Sequence, residues 1–408
     1  MYFSRTFPIK DSQNRIAVKL NVSGERSVVQ GHPWVFSNSI LKTNKVPETG
    51  DLAIVFGKNK NKIIGFGLFD LSSPIQIKMI HHGDAIAIDN AFFYDKIIKA
   101  HKKREPLLQT ETNSYRLIFG ENDGFPGLIA DVYADVLVVK LYSEIWIVYL
   151  QGILESLVEV SNCETIVIRL SRNLQQSKSH DLRDGEVVYG MLENNVVQFE
   201  EHGVFFSADV IQGHKTGYFL DHRLNRKQVG EWSRDKTVLD VFSYAGGFSV
   251  HALANGAKEV TSLDISKQAL DMAKSNAKLN AFSGKHMTIA GDAFKEMKQL
   301  ISDNKTFDVV VIDPPSFAKQ QSEIDLAKKK YAQLADLGLR LTRNGGLLVL
   351  ASCSSRILAQ TFFDINARIL RESQRSHKCI LKTQHDIDHP IGFTEGAYLK
   401  CAYYRINK

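Results

Sequence analysis

Four aspartates and one cysteine concentrate the chemistry of this sequence, because each follows a short apolar run at a point where the chain must turn. Asp240 lies in the run Val238-Leu239-Asp240-Val241-Phe242, ahead of a loop of Ser243, Tyr244 and Ala245 that ends at Gly246-Gly247. Paired glycines let the backbone come close to a ligand. A dinucleotide site would space its glycines Gly-x-Gly-x-x-Gly around a pyrophosphate. That spacing is absent, and a carboxylate repels phosphate but attracts a cation. S-adenosylmethionine carries an ammonium and a sulfonium and no phosphate, so it is the expected cofactor. Asp264, about 20 residues on, suits a ribose, with Ile265 and Ser266 beside it. Asp292, with Ala293 and Phe294, is placed to meet the adenine edge.

Further along, Asp313-Pro314-Pro315-Ser316-Phe317 follows the run Phe307 to Ile312. Two prolines fix a rigid, extended loop, which can hold Asp313 against a flat heterocycle with Phe317 stacked on it. Ala327-Lys328-Lys329-Lys330-Tyr331 adds basic residues suited to phosphates, Lys329 among them. Cys353 comes just past the run Gly345 to Ala351. There the amino terminus of a following helix would favour its thiolate. A methyl donor, a clamp for a planar base and a nucleophilic thiol together point to methylation at carbon 5 of a cytosine. The thiolate adds at carbon 6, and Asp313 holds the base at N3 or N4. Cys163, Cys379 and Cys401 read as ordinary small apolar residues.

The elements that must position these residues form a seven-stranded, doubly wound Rossmann-like α/β domain over 200–408. Its early strands are near Val238, Glu259 to Leu263, Met287 to Ala290, Phe307 to Ile312 and Gly345 to Ala351, and its last two near Cys379 to Lys382 and Tyr398 to Arg405. In such a sheet the fourth and fifth strands lie beside the first, so Asp313 and Cys353 would face one ligand. The stretch Gly213 to Arg223 leads into the domain. It reads either as a tight loop capping a helix, or as a lid in which Phe219, Leu220 and Asp221 approach the cofactor while Lys215, His222 and Arg223 face anions.

Composition narrows the classes. A chain of 408 residues implies several domains. No apolar run reaches 18 residues, which excludes a helical membrane span, and the first residues lack a signal-peptide core, which points to the cytoplasm. The four cysteines lack ligand spacing, so neither metal nor disulfide is expected. A formal charge of +6 permits a nucleic-acid partner. Residues 1–83 read as a small β module, with strands at Ile16 to Leu20, Leu52 to Phe56, Ile63 to Phe69 and Ile75 to Ile80, a turn at Lys58 to Lys62, and Trp34 and Phe36 in its core. Its Gly31-His32-Pro33-Trp34-Val35-Phe36 stretch resembles a PUA domain, a barrel that binds structured RNA. Residues 84–199 read as a mixed α/β domain with helices at Ala91 to Gln109 and Trp146 to Val160; His101 to Arg104 is expected to be a solvated face.

Nearly the whole chain resembles the class I S-adenosylmethionine-dependent 23S rRNA methyltransferases of the RlmI type. Gly213 to Asp221, Phe242 to Phe248, Asp313 to Phe317, Ser352-Cys353-Ser354, His389-Pro390 and Glu395 to Lys400 carry the likeness. The resemblance implies 5-methylcytosine formation in large-subunit rRNA with Cys353 as nucleophile. It also implies a cofactor and base site lined by Asp240, Asp264, Asp292 and Asp313. Many RNA cytosine methyltransferases carry a second cysteine after the proline loop; here that place is Ser316 or Phe317, and the group removing the C5 proton is unassigned. The same loop resembles the clamp of N-methyltransferases, so methylation of an rRNA guanine nitrogen is the alternative. A non-catalytic RNA-binding protein is a second. A homodimer is compatible with the sequence.

Overall fold

A computed structural model describes residues 2–8, 14–58 and 62–407. The chain separates into two compact units. The first takes the chain up to Glu200 together with Ser207–Leu220 and Ile387–Gly396; the second takes Glu201–Phe206, Asp221–Asp386 and the remainder from Ala397.

The first unit opens with a six-stranded sheet. It contains β1 (Arg15–Leu20), β2 (Trp34–Phe36), β3 (Ile40–Thr43), β4 (Leu52–Phe56), β5 (Ile63–Phe69) and β6 (Ile75–His82), in the order β2-β6-β5-β4-β1-β3. Alternation explains β1: Ile16, Val18 and Leu20 point inward, and Arg15 and Lys19 outward. The short helix α1 (Val22–Val29), which sequence reading passed over, is capped by Asn21, whose Oδ1 accepts from the Gly24 amide at 2.8 Å. In β2 the same period buries Val35 and leaves Phe36 44% exposed. The expectation that Trp34 and Phe36 fill the core is therefore corrected: the core takes Val35, with Val28, Ile77 and Met79. The turn expected at Lys58 to Lys62 falls largely on 59–61, outside the described residues.

A five-stranded sheet follows, built from β7 (Ser114–Phe119), β8 (Leu128–Tyr133), β9 (Val136–Leu141), β10 (Thr165–Leu170) and β11 (Glu186–Tyr189). Helices α2 (Asn90–Leu108) and α3 (Leu150–Ser161) pack with it, and α4 (Arg172–Gln176) is a single short turn. Asp89 caps α2, and Pro106 sits in its last turn, where the helix is already ending. Where one helix was expected from Trp146, a 3₁₀ segment Glu144–Tyr149 precedes α3. The basic run is not wholly solvated either. Arg104 is fully buried and bonds both oxygens of Asp123, at 3.1 and 2.6 Å.

A hairpin, β12 (Val196–Glu201) and β13 (Val204–Asp209), gives its tip to the second unit. That unit holds α5 (Arg223–Glu231), β14 (Thr237–Val241), α6 (Gly247–Ala254), β15 (Glu259–Asp264), α7 (Lys267–Lys278), β16 (Lys285–Ala290), α8 (Ala293–Ser302) and β17 (Phe307–Ile312). It continues with α9 (Ile324–Leu341), β18 (Thr342–Ser352), α10 (Ala359–Glu372), β19 (His377–Thr383) and β20 (Lys400–Ile406). The seven strands run β16-β15-β14-β17-β18-β20-β19, all parallel except β20, which is antiparallel to both its neighbours. Strands such as Asp308-Val309-Val310-Val311-Ile312 are near-continuous apolar runs because both faces are covered.

One buried ionic cluster ties α5 and α6 together. Glu201 accepts from Arg226 through both oxygens, at 2.7 and 2.6 Å, and its Oε1 lies 2.9 Å from His251 Nε2. Burial works against the carboxylate charge, but the Arg226 guanidinium and His251 outweigh it and hold the group well below the usual range. Glu201→Gln leaves a guanidinium buried without its counter-charge and is expected to cost on the order of 3–5 kcal/mol, read as a lower urea midpoint with an unchanged slope.

Candidate active site

The parallel register brings the polar residues to one edge of the second unit's sheet. Val241 pairs with Ile312, and Ile312 with Leu350, so the chain leaves β14, β17 and β18 at nearly the same level. Phe242, Asp313 and Cys353 follow within three residues of those pairs. Asp264 ends β15 opposite Ala290 of β16. This carboxyl edge is where parallel α/β sheets bind ligands.

The loop after β14 is wound tightly. Phe242, Tyr244 and Gly246 all have positive φ, at 65°, 48° and 79°. For non-glycine residues this costs on the order of 1–3 kcal/mol each and persists where the surroundings enforce it. The Tyr244 amide donates to Asp264 Oδ2 at 2.9 Å, and the Phe242 amide to the Leu263 carbonyl at 2.8 Å. At Gly246 a side chain is excluded twice, by φ and because a Cβ would stand 2.7 Å from Ala273 Cβ. Asp240 is fully buried under this loop. Its Oδ2 accepts from the Ser249 amide and hydroxyl at 3.0 and 2.7 Å, while Oδ1 has no donor. Burial pushes this carboxyl up to about 7, and the Ser249 bonds only partly oppose it. Ser243 Oγ is a second buried polar atom without a partner. Orphaned acceptors beside a strained loop fit a cationic ligand with hydrogen-bond donors.

Across the edge, Cys353 Sγ donates to the Pro314 carbonyl at 3.8 Å, so the thiol faces the Asp-Pro-Pro loop. Asp313 is half-buried, with Oδ1 3.3 Å from His222 Nε2. A relay fixes that imidazole. Thr383 and Tyr403 both donate to Asn225 Oδ1, at 2.5 and 2.7 Å, which turns the Asn225 amide nitrogen toward His222 Nδ1 at 3.1 Å. Nδ1 is therefore the acceptor, and the ring proton sits on Nε2, toward Asp313. Burial lowers the His222 pKa, but the Asp313 carboxylate overcomes it and the net shift is upward. Phe317 lies 5.2 Å from the Tyr331 ring with Lys330 Nζ over its face at 4.9 Å.

Other residues singled out in the sequence have different settings. Asp292 caps α8, accepting from the Lys295 amide at 3.0 Å, with Ala293 buried behind it and Phe294 half-buried. Ile265 is 76% exposed, Ser266 caps α7, and Lys329 is exposed on α9. Asp221 accepts from Tyr398 Oη at 2.8 Å. Lys215, Phe219 and Leu220 belong to the first unit, where Lys215 Nζ sits over the Phe219 ring at 4.5 Å and Leu220 is buried. Arg223 is corrected: its guanidinium is fully buried and 3.3 Å from Asp386, so it has no surface to offer a substrate. The helix expected to support Cys353 starts only at Ala359, too far for its dipole, which fades within one turn. Asn225, and Lys400 at the start of β20, were missed. A lysine inside Leu399-Lys400-Cys401-Ala402 was the available signal.

The first unit holds a cavity of about 600 Å³ lined by His81 and His82 at the end of β6, by Lys96, Lys99, Lys102 and Lys103 of α2, by Glu121 and Asp123, and by Gly392-Phe393. Lys96 stands over the Phe92 ring at 5.1 Å; burial and then Lys99 bring its ammonium down to about 8. Among the described residues, no cluster of three metal-ligating side chains occurs, and no helix is long and apolar enough to cross a membrane.

This fold and edge are those of a methyltransferase. Residues 115–375 match the S-adenosylmethionine-dependent methyltransferase family, and 18–82 match a PUA-like domain. The chain belongs to that methyltransferase family and is an S-adenosylmethionine-dependent enzyme by that membership. Among its relatives, a ribosomal RNA large subunit methyltransferase of Deinococcus radiodurans is 37% identical across 97% of this chain and 98% of its own length. The ribosomal RNA large subunit methyltransferase I of Shewanella amazonensis is 33% identical across 96% and 99%. A methyltransferase solved in complex with SAH shares the fold at a TM-score of 0.80, with 20% identity over 96% of this chain and all of the other.

The raised Asp240 carboxyl has a consequence for stability. Its folded value exceeds the unfolded one, so the folded state holds the extra proton between the two, and stability falls as pH rises from about 4 toward about 7. Asp240→Asn removes this group. Its urea midpoint relative to wild type is expected to rise between pH 5 and pH 8, by on the order of 1–3 kcal/mol in stability.

Proposed function

We propose that this chain methylates carbon 5 of a cytosine in large-subunit ribosomal RNA, with Cys353 as the covalent nucleophile. The observation that carries the reading is the direction of the Cys353 sulfur, toward the Pro314 carbonyl beside Asp313. Methyl transfer to a guanine nitrogen needs no thiol there. The relatives named for ribosomal RNA support the substrate class.

Asp240, Ser243 and the loop to Gly247 would hold the cofactor's amino-acid end, and Asp264 its ribose. Asp292 to Phe294, with Asp313, Pro314 and Pro315, would border its remainder. When bound, S-adenosylmethionine supplies an electrophilic methyl group. Asp313, which takes up a proton from solvent as the base binds, accepts from the cytosine N4 amine through one oxygen and gives that proton to N3 from the other. The Cys353 thiolate adds to C6, the C5–C6 electron pair moves through C4 to N3, and C5 becomes nucleophilic toward the methyl. Release reverses this: the C5 proton goes to solvent, the C5–C6 double bond re-forms, the C6–S electrons return to sulfur, and N3 gives its proton back to Asp313.

In the first unit, the lysines around Lys96 are suited to RNA phosphates, and the PUA-like match supports that use. The boundaries 1–83, 84–199 and 200–408 are our reading of how RNA binding, a linking domain and catalysis divide the chain.

Cys353→Ala is expected to lose 5-methylcytosine formation by at least about 10³-fold, measured by nucleoside mass spectrometry, while binding cofactor as wild type does. A methylated guanine, or a variant that still makes 5-methylcytosine, would falsify the mechanism. Lys96→Ala with Lys99→Ala should weaken RNA binding and lower the slope of log K against log salt by about two.

A further inference from the structure

Lys400 opens β20 directly opposite Ser352, the residue before Cys353. It is 1% exposed, a rare setting for an ammonium. Its three protons have three acceptors: the carbonyls of Ser354, of Ile357 at 2.6 Å and of Tyr398 at 3.0 Å. Two of these lie in the turn just after Cys353, so the side chain pins that turn to the neighbouring strand. All three acceptors are neutral, and among the described residues no carboxylate lies within ion-pair distance of Lys400. A buried cation without a counter-ion is costly. Burial brings Lys400 down to about 8, and the charge of Cys353 acts in the opposite direction.

Two neighbours of Cys353 act against a thiolate or leave it unaided. Asp313, across the edge, carries the wrong sign. The Tyr331 hydroxyl, on α9, accepts from Ser352 at 2.9 Å and is held neutral, first by burial and then by Cys353 and Asp313. The helix dipole begins too late, at Ala359.

We propose that Lys400 is the positioning residue of the nucleophile: its ammonium clamps the Ser354–Ile357 turn and serves as counter-ion to the Cys353 thiolate. This rests on reading Cys353 as the nucleophile. Lys400 is not the base that deprotonates the thiol, because its own protons are all engaged; the sulfhydryl proton goes to solvent.

The test uses the full chain without RNA, in a Cys379→Ser background because Cys379 is the exposed cysteine among the described residues. Iodoacetamide alkylation of Cys353 is followed against pH by peptide mass spectrometry, in Lys400→Met and in Lys400→Gln, which keeps a donor but no charge. Both variants should move the alkylation midpoint up by about one pH unit and slow the reaction at pH 7 about tenfold, with S-adenosylmethionine binding retained. An unchanged midpoint in either folded variant overturns the assignment. Its failure is distinct from that of the parent reading, which falls if Cys353→Ala still makes 5-methylcytosine.

Discussion

Everything at the site depends on the hydrogen-bonded ladder that joins β14, β17 and β18 in parallel. Because Val241, Ile312 and Leu350 stand side by side, three loops of unrelated sequence open at one level. A one-residue slip in any of them would turn its side chains to the opposite face of the sheet. The register is held by apolar side chains buried on both faces, Leu239, Val310 and Leu348 on one and Val238, Val309 and Leu347 on the other. Small residues allow α9 to close down on the ladder: a Cβ at Gly338 would lie 2.6 Å from Ile312 Cδ1. The chemistry therefore rests on hydrophobic packing that carries none of it.

Buried charge is handled in two ways in the second unit. Glu201 is surrounded by Arg226 and His251. Such a cluster is structural, since each charge has its complement. Asp240 is different, with one oxygen satisfied by Ser249 and the other left open. Asp313 has a histidine behind it, itself locked by Asn225. Incomplete satisfaction is costly in a folded protein alone. It is recovered when a ligand brings the missing donor, which is why the open groups gather at the strand ends and the paired cluster lies away from them.

Much of the second unit was legible because parallel strands read as short unbroken apolar runs, and because glycine and proline mark the loops after them. Val238 to Phe242 and Phe307 to Ile312 each matched a strand to within a residue at either end. The first unit was harder. Short elements such as α1 and β3 hold their shape through a cap and through sheet pairing, and their apolar period covers too few residues to register. Trp34 and Phe36 misled because aromatic character suggests burial, whereas β2 is three residues long and only its middle one faces in. Arg104 misled in the opposite sense, since a basic run gives no hint that Asp123 will return beside one member of it. The His222–Asn225–Thr383 relay joins residues 158 positions apart, and no local pattern carries such a contact.

An acidic strand edge suits a cationic cofactor but repels the phosphates of a nucleic acid, so one surface serves both poorly. On our reading the chain separates the tasks by composition. Asp240, Asp264 and Asp313 gather on the second unit's edge, and four lysines and two histidines gather around one cavity of the first. Within the acidic edge a thiolate would be the least favoured anion, because it competes with carboxylates for the same field. On our proposal a single ammonium beside Cys353 resolves that conflict, provided it is too deeply held to neutralise Asp313 instead. Three carbonyl bonds and almost complete burial give Lys400 that fixed place. A lysine free to swing would pair with the carboxylate, which makes the stronger charge-assisted hydrogen bond, and leave the sulfur protonated.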